Sequence, residues 1–276
     1  GKTKLPFTVT LKQTQSETKK PRPLLLTAYG AYGHNNEPDF DAGYLALMDR
    51  GWIIVHAHVR GGGENGRSWY EAGRGLKKWN SIDDLVSIAE YLITQGYTTP
   101  ELMCSLAVSA GGLTVAPAVI NRPDLFAAVV LKVPFLDVLD SMMNNDLPLT
   151  TAEFEEWGNP QENRKVYEYI RSYDPTKNID KMFSLSKAGQ NTSSTPAFLV
   201  SCSLSDMRVG YWGPAKFVAK IRENESQMNL RSSDVLLNWS ADEGHFGSGG
   251  RYGRLEEQAF ELSFLCRMIE KSITAF

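Results

Sequence analysis

Short apolar runs closed by glycine or polar clusters alternate along this chain with longer stretches whose apolar residues recur at helical spacing. Residues 5–11 alternate apolar and polar as an edge strand does, and the polar stretch 12–23 reads as a turn. Residues 24–28 and 52–58 are continuous apolar runs ended by glycine-rich turns, the pattern of strands buried on both faces. Residues 81–94 carry Ile82, Leu85, Ile88, Ala89 and Leu92 on one helical face, with Asp83 and Asp84 suited to the helix N-terminus. A strand over 102–108, a helix over 112–121 and a strand over 127–133 follow. The segment 137–173, rich in Asp, Asn and Glu, interrupts this order and reads as an inserted helical excursion. The order then resumes with a strand at 197–203, a helix at 214–223 opened by Pro214, a strand at 235–239 and a helix at 254–273. Strand–helix alternation of this kind predicts an α/β fold, a mostly parallel central sheet flanked by helices, in one domain spanning 1–276.

Composition narrows the function classes. With 42% hydrophobic and 22% charged residues the chain can bury a core, which excludes a disordered chain. A net charge of −3 provides no basic surface for nucleic acid or anionic membrane, and neither is expected as a partner. No apolar run approaches the ~18 residues of a spanning helix. Gly1-Lys2-Thr3-Lys4 reads as neither a signal nor a transit peptide. Cys104, Cys202 and Cys266 are too few and too far apart for a disulfide framework or a zinc ribbon. That usage points to a reducing, cytoplasmic location. Histidine- and cysteine-rich clusters are absent, so no metal and no cofactor is expected.

The candidate chemistry sits where predicted strands end. Ser109, in Leu106-Ala107-Val108-Ser109-Ala110-Gly111-Gly112, lies between a strand and a helix, the context of a nucleophile elbow. The usual small residue two positions earlier is glycine; here it is Ala107. A glycine-closed strand–helix turn with an incidental serine is the other reading of the motif alone. Elbow hydrolases order their triad Ser…Asp/Glu…His. Asp206 follows the strand at 197–203 and His245 follows the strand at 235–239 in a glycine-flanked loop. Three suitable residue types, in order and each after a strand, favour catalysis over coincidence. Gly61-Gly62-Gly63-Glu64-Asn65-Gly66 matches the spacing of a dinucleotide fingerprint, with Asp83 and Asp84 downstream. The residues after it do not continue as an amphipathic helix, so a sharply turning surface loop is the better account.

These residues lead to a family. The chain resembles the catalytic domain of the prolyl oligopeptidase family, especially its oligopeptidase B and prolyl endopeptidase-like branches. The resemblance rests on Tyr29-Gly30-Ala31-Tyr32, Val59-Arg60-Gly61-Gly62-Gly63-Glu64, Lys77-Lys78-Trp79-Asn80, Ser109-Ala110-Gly111-Gly112, Arg122-Pro123-Asp124, Glu153-Phe154-Glu155-Glu156-Trp157-Gly158, Asp206-Met207-Arg208-Val209 and Gly244-His245, in collinear order. It implies an α/β-hydrolase fold and a serine-type endopeptidase acting on short peptides, with Ser109, Asp206 and His245 as triad. By the same resemblance Tyr29 and the Ala110 amide form the oxyanion hole, and Arg208 binds a substrate carbonyl. Glu153 and Glu155 match glutamates that bind a basic side chain before the scissile bond, which implies cleavage after Arg or Lys. The residues alone leave open a capping role for Glu153, Glu155 and Glu156, with Thr151 opening a helix. The family also carries an N-terminal β-propeller that these residues do not encode. An esterase or thioesterase using the same triad, and a hydrolase fold kept as an interaction scaffold, are the alternatives.

Overall fold

The computed structural model describes residues 3–13, 20–187, 195–228, 234–247 and 249–274; part of the 12–23 turn lies outside them. Seven strands form one sheet: β1 (Phe7–Leu11), β2 (Leu24–Thr27), β3 (Ile53–Ala57), β4 (Met103–Val108), β5 (Ala128–Lys132), β6 (Ala197–Ser203) and β7 (Val235–Ser240). Their spatial order is β1-β3-β2-β4-β5-β6-β7. Only β1 runs antiparallel, pairing Val9 with Val55 of β3, so the mostly parallel sheet read from the sequence is the one observed.

The continuous apolar runs are explained by two cores, one on each face. Leu24, Leu26, Val55 and Val129 point into one, and Leu25, Ile54, Cys104 and Val130 into the other. The first is covered by helices Trp79–Thr94, Gly112–Asn121 and Trp212–Gln227, which contribute Leu85, Leu113 and Phe217 among others. The second is covered by Ala42–Asp49 and by Gly250–Thr274, through Leu47, Leu265 and Met268. Each such side chain contributes on the order of 1.5–3 kcal/mol on burial. Cys104 and Cys202 are buried, as small apolar residues are. The excursion after β5 is helical, in short pieces (Val138–Met142, Phe154–Trp157, Arg164–Tyr173), and is anchored on the first core by Trp157 and Tyr173.

Local details depart from the sequence reading. Helix Ala42–Asp49 was not expected; Asp41 caps it, its carboxylate accepting from the amides of Gly43 and Tyr44 at 2.7 and 3.1 Å. The helix expected at 81–94 begins at Trp79, so Asp83 and Asp84 fall outside its first turn. Asp84 instead takes the Arg60 guanidinium and the Arg60 amide, a buried pairing that leaves it no role toward a nucleotide ribose. Pro214 is the third helical residue rather than the first, still within the turn whose N–H groups lack intrahelical acceptors. Thr151 does not cap helix Phe154–Trp157; Glu153 occupies the cap position, and its side chain accepts from none of the helix's backbone N–H groups.

Candidate active site

Ser109, Asp206 and His245 each follow the carboxyl end of a strand, the edge where open parallel sheets gather their ligands. At the end of β4 the backbone reverses through Ser109, whose φ is +53°, a left-handed conformation that side chains other than glycine seldom adopt. A single turn, Ser109–Gly111, then leads into helix Gly112–Asn121. The approach is tight: a Cβ on Gly112 would meet Pro134 Cβ at 3.0 Å and the Phe135 carbonyl at 3.1 Å. Ala107 is buried in the first core, and the turn forms with its methyl in place.

The three side chains meet. His245 Nε2 lies 2.9 Å from Ser109 Oγ, and His245 Nδ1 lies 2.7 Å from Asp206 Oδ2. Asp206 Oδ1 accepts from the amides of Arg208 and Val209 at 2.8 and 2.9 Å, which fixes the plane of the carboxylate. Burial by itself pushes the Asp206 carboxyl up, but the bonds from His245 and the two amides outweigh it and hold the group below the usual carboxylate range. The loops carrying Asp206 and His245 are tied together: Ser203 Oγ donates to the Glu243 carbonyl, and Ser205 Oγ donates to the Ala241 carbonyl at 2.7 Å.

A cleft of about 370 Å³ opens over Ser109, lined also by Tyr29, Tyr32, His34, Ala110, Phe135, Glu153 and Arg208. Tyr29 stands beside Ser109 on the cleft wall. Burial first, then the negative Glu153 and Glu156, hold the Tyr29 phenol above its ordinary value against the opposing pull of Ser109 and Arg208, so its hydroxyl remains a donor. If that donor serves a developing oxyanion, Tyr29→Phe lowers kcat by about 10²–10³-fold with little change in KM; an unchanged kcat in steady-state assays removes the role. The Arg208 side chain lies over the Phe246 ring, 5.1 Å from its centroid, and reaches the cleft wall.

The two glutamates separate. Glu153 lines both this cleft and an adjoining cavity of about 280 Å³ between the excursion and the Asp206 loop. Its oxygens accept from Tyr32 Oη at 3.0 Å and Trp157 Nε1 at 2.9 Å. Glu155 lines neither cavity; its side chain is exposed, and its carbonyl accepts from Arg74. Glu156, which the sequence offered only for helix capping, points inward, accepting from the Tyr32 amide at 2.9 Å and Tyr70 Oη at 2.6 Å. Tyr32, His34 and Phe135 were likewise missed as lining residues. Only their nearness in sequence to Tyr29 or to the end of β5 could have pointed to them. The glycine-rich loop has a structural task here: a Cβ on Gly61 (φ +95°) would meet the Gly30 carbonyl at 2.2 Å, so the loop packs directly beneath the backbone that presents Tyr29. Among the described residues no group of three His, Cys, Asp or Glu is placed to hold a metal ion, and no helix is long and apolar enough to cross a membrane.

A mostly parallel sheet with a serine on a strained strand–helix turn, joined to a histidine and an aspartate from two later strand ends, defines the class as an α/β hydrolase. Residues 38–272 match the model of the prolyl oligopeptidase family, and the chain belongs to that family of serine peptidases. It is 38% identical over 245 residues to Protease 2 of Moraxella lacunata, covering 89% of this chain and 33% of that protein. To the prolyl endopeptidase-like protein of Xenopus laevis it is 38% identical over 221 residues, 80% of this chain and 30% of the relative. Oligopeptidase B from Leishmania major superimposes with a TM-score of 0.87 at 37% identity, over 98% of this chain and 35% of that one. The chain thus spans about a third of the length of these relatives.

Proposed function

We propose that this chain is the catalytic domain of a serine-type oligopeptidase that cleaves short peptides after basic residues. The observation that carries the reading is the unbroken relay from Asp206 through His245 to Ser109, at 2.7 and 2.9 Å, on the wall of a cleft that holds two further donors. His245 Nε2 takes the Ser109 proton as Oγ attacks the scissile carbonyl, and Asp206 steadies the imidazolium through Nδ1–H. Tyr29 Oη and the Ala110 amide stabilise the oxyanion. The tetrahedral intermediate collapses as the leaving amine takes the proton from His245. Water, deprotonated by the same imidazole, then releases the acyl group. Arg208 binds a substrate backbone carbonyl from the cleft rim. The remaining length of the relatives leaves room for the propeller that would limit substrates to short peptides.

Specificity follows from Glu153. Among the described residues its carboxylate forms no ion pair, and two neutral donors occupy only part of its accepting capacity. A substrate Arg or Lys entering beside it would supply the missing cation, with arginine favoured where its fork meets the carboxylate bidentately. Glu153→Gln is therefore expected to lower kcat/KM for Arg and Lys substrates by about 10- to 100-fold, the scale of a charged hydrogen bond. Neutral substrates should lose much less, and Glu155→Gln should change neither class. Equal losses for basic and neutral substrates would remove the preference. Fluorophosphonate labelling of wild type and Ser109→Ala, with peptide and thioester substrates assayed in parallel, tests the activity itself. Labelling that persists without Ser109 overturns the reading, and turnover of thioesters alone replaces peptidase with thioesterase.

A further inference from the structure

Lys78, just ahead of helix Trp79–Thr94, is the one lysine among the described residues whose side chain is wholly buried. A buried ammonium is costly, and an apolar side chain of the same length would fill the space without that cost. Burial indeed drives Lys78 down to about 7, with Glu156 acting in the opposite sense. Its retention has to be sought in what its N–H groups hold. Nζ donates to the Gly30 carbonyl at 2.7 Å and to Thr114 Oγ1 at 2.9 Å. Thr114 Oγ1 in turn donates to the Tyr29 carbonyl at 2.8 Å. On the other side of the same loop, Glu156 takes the Tyr32 amide. Nζ also lies 5.6 Å from the centroid of the Trp157 ring, whose Nε1 holds Glu153.

The loop so gripped is the one that carries Tyr29, and it needs gripping. Gly30 has φ +71° and Tyr32 has φ +56°, so two of its four residues are left-handed, one of them bulky. Such a backbone persists only where its surroundings over-determine it. Two successive carbonyls, those of Tyr29 and Gly30, are fixed through one buried nitrogen and one buried hydroxyl. These bonds set the height and direction from which the Tyr29 side chain enters the cleft that Ser109 lines.

We propose that Lys78, acting through Thr114, is a positioning residue for catalysis: it holds the Tyr29–Gly30 backbone so that the Tyr29 hydroxyl is preorganised over Ser109. The proposal rests on the reading of Tyr29 as an oxyanion donor. Lys78 itself touches no substrate. Its contribution belongs to the transition state, because preorganised donors act where charge develops rather than where substrate first binds.

A double-mutant cycle tests this. Lys78→Met is expected to lower kcat by about 10- to 100-fold with KM changed less than about threefold, part of the loss that removing the donor itself produces. In a Tyr29→Phe background the same substitution is expected to cost no more than about two- to threefold, since the donor it positions is gone. Thr114→Val, nearly isosteric, is expected to give the same non-additive pattern, and Thr114→Ser, which keeps the hydroxyl, to restore turnover. Thr114→Val also carries the cycle if Lys78→Met does not fold, as judged by circular dichroism and Tm. Losses that multiply in the double variants, or a wild-type kcat in either single variant, overturn the positioning role. Ser109-dependent fluorophosphonate labelling, together with a slow Tyr29→Phe enzyme, keeps that failure distinct from failure of the site itself. A Tyr29→Phe enzyme of wild-type rate overturns the Tyr29 role and this proposal with it.

Discussion

Ser109→Ala is expected to lower kcat toward peptide and ester substrates by roughly 10⁶-fold, the scale on which a triad nucleophile acts, while the protein stays folded. On the proposed mechanism the mutation removes the atom that would form the acyl-enzyme and leaves the cleft, Tyr29 and the Ala110 amide in place. Residual rate above the uncatalysed reaction would come from those donors and from binding alone. Little stability should be lost. The Ser109 hydroxyl bonds within the site, to His245, and alanine meets the same left-handed backbone that serine already tolerates. His245→Ala is expected to fall to a similar level, and the double variant to fall no further, because the two residues act as a unit. Rapid-quench kinetics with an activated ester should lose the acylation burst in both. A burst that survives in Ser109→Ala would mean that another nucleophile carries the reaction.

The strands, and the three residues that meet at 2.7 and 2.9 Å, were legible in the sequence for related physical reasons. Strands buried on both faces write themselves as apolar runs, and Ser109 and Asp206 stand just past two of them; His245 follows β7, which is largely exposed, and was marked by its glycine-flanked loop instead. Helix Ala42–Asp49 was not legible, since of its eight residues only Leu47 is buried and no apolar stripe repeats. The glutamates around Phe154 show a sharper limit. A helix of four residues has no repeat from which to assign faces, so Glu153, Glu155 and Glu156 look alike in sequence, yet they point to the cleft, to solvent and to the interior. Lys78 is the same problem in its strongest form. In the sequence it stands beside Lys77 with nothing to mark its burial, and only the path of the Tyr29–Tyr32 loop reveals a buried donor.

Asp206→Asn is expected to lower kcat by about 10⁴-fold, and the surroundings of the carboxylate say why. Oδ1 faces two backbone N–H groups, those of Arg208 and Val209, and only an oxygen can accept from them. An asparagine here must therefore keep its oxygen toward the backbone and turn its NH₂ toward His245. That NH₂ is a donor, so Nδ1 of the imidazole must become an acceptor and the ring proton moves to Nε2. Nε2 then faces Ser109 already protonated and cannot take the hydroxyl proton. Asp206→Ala imposes no such tautomer, so it should retain at least as much activity as the asparagine variant although it loses more contacts. Folding stability supplies a second readout. The native Asp206 carboxyl is held below its unfolded value, so between the two values the unfolded chain binds more protons. The carboxylate thus stabilises the fold above about pH 4, and its contribution fades as pH falls through the native value. Urea unfolding of Asp206→Asn should lack that acid-side component. An asparagine variant of wild-type turnover would show that a different carboxylate orients His245, and one clearly more active than Asp206→Ala would show that the amide does not enforce the wrong tautomer.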